Sequence, residues 1–258
     1  MLMTTDGDTL ARHRMLLSAS IVALAAAAWL ALWMLGASAH GSMHHHHHHA
    51  TSVDVTPMFS LLFFVGSWTM MTVAMMLPTS LPVLNTFHAI AGSRDDRMLL
   101  LTLVIAGYLV AWGLFGALVH AAQLAIQQLV VASAWAEQHA WAGGGLILLL
   151  AGAYQFTPLK YRCLEKCRSP LGFVIEHWQG RNHRQQAFRL GFDHGLFCVG
   201  CCWALMLLMF VVGMTNLGWM LVLAAVMAVE KNTRWGKYLS GPLGVALLVW
   251  GGLTFVWS

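Results

Sequence analysis

The stretch GFDHGLFCVGCCWALMLLM, Gly191 to Met209, decides how this chain is read. It is apolar and of membrane length, yet it opens with Asp193 and His194 and carries Cys198, Cys201 and Cys202. On a helix, His194 and Cys202 each stand four residues from Cys198, and Cys201 stands three away. That spacing predicts one shared face of imidazole and thiol groups. Polar groups at such depth are costly, and where they occur they mark function.

The rest of the sequence agrees with a membrane setting. Of 258 residues, 59% are hydrophobic and only 9% charged, where a soluble domain is about one quarter charged. Seven apolar runs follow one another, near 15–37, 58–78, 98–120, 141–156, 191–209, 217–229 and 243–255. They predict an all-α, polytopic helical membrane protein, residues 1–258 forming a single transmembrane domain. The first run outlasts the apolar segment of a secretory signal and is read as a span, although Ala37, Ser38 and Ala39 would suit cleavage. The mixed segment after His120 reads as a separate interfacial helix.

Charge sets the expected orientation. The fourteen Lys and Arg fall as two before the first span, two after the second, seven after the fourth and three after the sixth. With seven spans these segments share one face, which the positive-inside rule assigns to the cytoplasm. The N-terminus is then cytoplasmic and the C-terminus periplasmic, in a bacterial inner membrane. The lipid bilayer accounts for the net charge of +4, and nucleic acid is not needed to explain it. With no GxxxxGK or GxGxxG run, nucleotide is not expected either. No Ser-His-Asp set or carboxylate pair stands out, so an enzyme is the lesser expectation.

Soft ligands recur along the chain. The second span holds Met70, Met71, Met75 and Met76 before Pro78 and Pro82, which read as the end of regular helix. Methionine ordinarily fills gaps, but four in seven residues also suit a thioether lining for Cu(I). The basic connection 158–189, expected as a cytoplasmic loop, carries Cys163 and Cys167 in a CxxxC pair. Expected metal ligands are His194, Cys198, Cys201, Cys202, Cys163, Cys167, Met75 and Met76, supported by Asp193, Met71 and Glu230. Asp193 either orients His194 or caps the helix start. Copper is the expected metal, zinc the alternative. An external loop, residues 40–56, contains GSMHHHHHH, a native metal-collecting segment or an inserted affinity tag.

Other readings of the same residues stand beside this one. Cys198 and Cys201 have the CxxC spacing of a thiol–disulfide relay. Alternatively the cysteines only pack, in a structural or assembly subunit. All five are expected inside or within the membrane, which argues against structural disulfides.

Three segments resemble a bacterial family, the predicted metal-binding integral membrane proteins of domain-of-unknown-function family 2182. They are WTMMTVAMMLPTSLP (Trp68–Pro82), AGAYQFTPLKYRCLEKCRSP (Ala151–Pro170) and GFDHGLFCVGCCWALM (Gly191–Met206). NLGWM from Asn216 and the pair Glu230–Lys231 fit too. The resemblance implies metal binding and carries no catalytic residues. A metal-handling membrane protein would pass its ion to a metalloenzyme, a metallochaperone or another membrane subunit.

Overall fold

A computed structural model describes residues 4–42, 57–92, 94, 96–131, 140–179, 182–213 and 216–257. The histidines His44–His49 lie outside the described residues. Among those described there are ten α-helices and no strand. They are α1 (Thr4–Ser42), α2 (Pro57–Met75), α3 (Leu81–Ile90), α4 (Arg97–Val131) and α5 (Ala140–Tyr154). They continue as α6 (Pro158–Arg168), α7 (Pro170–His177), α8 (His183–Val212), α9 (Leu217–Asn232) and α10 (Ser240–Val256).

The all-α expectation holds. Among the described residues, five segments are long and apolar enough to cross a membrane: 14–34, 58–75, 97–131, 183–212 and 236–256. A sixth is available if α5 and α6, bent by 66° at their junction, count together as one broken span. The expected fourth and sixth spans are the shorter helices α5 and α9, of 15 and 16 residues. Fully crossing a bilayer takes about 20 residues.

Several local expectations change. Pro82 does not close a helix but opens one, occupying the first turn of α3, where a missing N–H costs nothing. The mixed stretch after His120 continues α4 unbroken as far as Val131, and its residues 132–139 lie outside the described residues. The charged connection after the fourth run is largely helical, as α6 and α7. α8 starts at His183, so Asp193 lies in its interior and cannot cap it.

The chain divides into two compact units, residues 1–113 with 170–193 and residues 114–169 with 194–258. In the first, α1 packs on α2 and α3, with Trp29 Nε1 donating to the Ala74 carbonyl at 3.1 Å. α3 packs on α7, where Phe87 meets the edge of Trp178 at 5.0 Å between ring centres. The backbones of α4 and α8 come together at Gly107 and Gly191. A Cβ on Gly191 would fall on the Val104 carbonyl, and one on Gly107 on the Phe188 carbonyl. Small residues are what let membrane helices approach so closely. Gly191→Val should therefore force the helices apart and cost about 1–3 kcal/mol or more. Thermal unfolding in detergent reads this, and an unchanged melting temperature would contradict the crossing.

In the second unit α5 packs along α10 and α6 against α9. Thr157 caps α6 by accepting from the Lys160 N–H, and Pro158 takes the first helical position.

Candidate metal centre

α6 reads PLKYRCLEKCR, polar overall, but its residues 160, 163, 164 and 167 recur at helical spacing. Lys160, Cys163 and Leu164 are buried and Cys167 half-buried, so one face carries a lysine followed by two thiols. A buried ammonium needs partners. Lys160 Nζ donates to Glu230 Oε1 at 2.7 Å and to Gln155 Oε1, and Ser240 Oγ donates to the same Glu230 oxygen at 2.7 Å. Next to Cys167, the Arg168 guanidinium donates to the carbonyls of Glu230 and Arg234. These are bonds a basic side chain makes with the open end of a helix. Two charge-assisted contacts thus fasten the cysteine face of α6 to α9.

α8 supplies the other thiols. Cys198, Cys201 and Cys202 are all buried, with Cys201 Sγ and Cys202 Sγ donating to the Cys198 carbonyl at 3.1 and 2.9 Å. Cys167 Sγ stands 4.0 Å from Cys201 Sγ and is also a hydrogen-bonding neighbour of Cys198. Cys163 lies over Gly200, where a Cβ would come within 2.6 Å of its sulfur. Tyr154 hydroxyl donates to the Gly200 carbonyl, and its ring packs edgewise on Trp203. Gly200 is therefore the gap that admits Cys163 to the cluster.

α9 contributes a cation. Lys231 Nζ donates to Cys198 Sγ at 2.9 Å and lies 3.7 Å from Cys202 Sγ. His194 is buried one turn before Cys198 on the same helix. All five cysteines are free thiols.

The donor set is what a soft cation selects: several thiols, an imidazole one turn away, and a sulfur pair 4.0 Å apart. Metal–thiolate bonds of about 2.3 Å separate two sulfurs on one ion by about 3.8–4.6 Å. Among the described residues, no three His, Cys, Asp or Glu side chains form a ready-made metal-binding group. The structure offers a sulfur pair with further thiols beside it, and such a pair suits Cu(I), which accepts few ligands, better than zinc, which wants four.

The other expected residues have partners or surroundings of their own. Glu230 serves the buried Lys160. Asp193 pairs with His177 Nε2 at 3.7 Å and Arg189 Nε at 3.6 Å, within the first unit. Met71, Met75 and Met76 are also buried in the first unit, at the break where α2 gives way to a 3₁₀ turn at Pro78–Ser80. Lys160, Arg168 and Lys231 are not among the expected site residues, although Lys231 belongs to the Glu230–Lys231 pair quoted above. The usable signal was the helical spacing that puts Lys160 on the face of Cys163 and Cys167.

No curated protein and no solved structure matches this chain. The sequence from residue 65 to residue 254 matches the model of the family described as PpoB2, copper chaperone. That range takes in the three resembling segments, the NLGWM run, the Glu230–Lys231 pair and both halves of the thiol cluster. On this match the chain belongs to the PpoB2 copper chaperone family.

Proposed function

We propose that this protein is a multi-pass membrane copper chaperone that carries Cu(I) as cargo on the thiol cluster of α6 and α8. Cys167 and Cys201 hold the ion as thiolates, with Cys198, Cys163 and Cys202 as exchange ligands and His194 as the nearest imidazole. The 4.0 Å approach of Cys167 to Cys201 carries this reading, since it joins two segments far apart in sequence through their sulfurs. The buried thioethers of Met71, Met75 and Met76 supply soft donors to Cu(I) within the first unit. Counting the short helices α5 and α9 as crossings restores seven spans, and the positive-inside rule then puts the cluster in the cytoplasmic half of a bacterial inner membrane. The recipient is a metalloenzyme or another copper-binding protein, reached by thiol-to-thiol exchange.

Elemental analysis tests the reading on full-length protein with His44–His49 changed to serine and no affinity metal used in purification. About one copper per chain is expected, falling to background in Cys167→Ser and Cys201→Ser, since thiolate is the ligand form and serine is a poor soft donor. No copper, with Cys167 and Cys201 cycling between thiol and disulfide, would replace this reading with a thiol relay.

A further inference from the structure

Resting on the copper reading above, we propose that Lys231 sets the charge selectivity of the site, favouring a monovalent ion over a divalent one. The residue is only 6% exposed, and its ammonium donates to Cys198 Sγ at 2.9 Å with Cys202 Sγ at 3.7 Å. The neighbouring Glu230 holds Lys160 and Ser240, while the Lys231 ammonium donates to sulfur.

The sign of this bias is the same whatever number of thiolates binds. For any fixed number of thiolates, the complex with Cu(I) is one unit of charge more negative than the complex with Zn(II). A buried ammonium on Cys198 and Cys202, the exchange ligands beside the ion, attracts the more negative complex more strongly, and water is too scarce there to screen the difference. Lys231 therefore biases the cluster towards the monovalent ion by electrostatics, in addition to the softness of sulfur. It acts through Cys198 and Cys202 and need not touch the metal. Arginine preserves the charge, whereas methionine keeps much of the apolar stem and removes it.

Competition with chromophoric chelators tests this on the full chain in detergent, with His44–His49 changed to serine throughout. The Cu(I) and Zn(II) dissociation constants are read for the unsubstituted protein, Lys231→Met and Lys231→Arg at one pH. Lys231→Met is expected to lower the Cu(I)-over-Zn(II) preference by at least about tenfold, and Lys231→Arg to keep it within about threefold. An unchanged ratio in folded Lys231→Met overturns the proposal, as does an arginine variant that loses as much as methionine. If Lys231→Met does not fold, Lys231→Gln makes the same comparison. An unsubstituted protein that binds no Cu(I) instead overturns the copper reading itself, a failure visible before any change at Lys231.

Discussion

Changing Cys201 to serine should weaken Cu(I) binding by on the order of 100-fold or more, while leaving the helical content and melting behaviour close to unchanged. Loss of a group that only orients a ligand typically costs 10–100-fold in metal affinity. Removing one of two ligands must cost at least as much. Cys201 meets Cys167 across the α6–α8 contact, and its hydrogen bond to the Cys198 carbonyl is one that a serine hydroxyl can also make. Serine therefore preserves shape and local bonding while removing the soft donor. Cys167→Ser should behave alike, and the double variant should be little worse than either single one, because the two sulfurs act as a unit. Independent, additive losses would mean that they do not share an ion.

The second large effect concerns the buried ion pair that fastens α6 to α9. Lys160→Met leaves the Glu230 carboxylate buried with Ser240 as its described hydrogen-bond donor; Glu230→Gln leaves the Lys160 ammonium without a counter-charge. Breaking one side of such a pair costs about 3–5 kcal/mol, because the surviving charge stays in an apolar setting. Both single variants should unfold at markedly lower temperature or denaturant. The double variant Lys160→Met with Glu230→Met should recover most of that loss, since replacing a whole buried pair by apolar side chains is often neutral. Single variants within about 1 kcal/mol of the unsubstituted protein would mean that the pair is solvated.

The two effects separate what was legible in the sequence from what was not. Apolar runs of bilayer length announced a helical membrane protein because nothing else in a chain this poor in charge accounts for them. The site was legible as spacing: thiols at three and four residues share a helix face whatever the tertiary structure. Charge misled the reading in two places. In the sequence Lys160 and Lys231 count among the connecting-segment charges that report orientation, yet both are interior, one held by Glu230 and one turned to the cysteines. A lone lysine in sequence carries no mark of its partner when that partner is 70 residues away, as Glu230 is from Lys160. The polar composition of residues 158–168 likewise hid an amphipathic helix, because only one face of it is buried. Pro82 was read by its power to end a helix, when its position after the 3₁₀ turn lets it begin one.

On the chaperone reading, copper sits on sulfur contributed by both α6 and α8. X-ray absorption at the copper edge tests it most directly, on Cu(I)-loaded full-length protein with His44–His49 changed to serine. Sulfur should dominate the nearest neighbours of copper, and that signal should collapse in both Cys167→Ser and Cys201→Ser. Nearest neighbours made up of nitrogen and oxygen, unaltered by either substitution, would contradict the account.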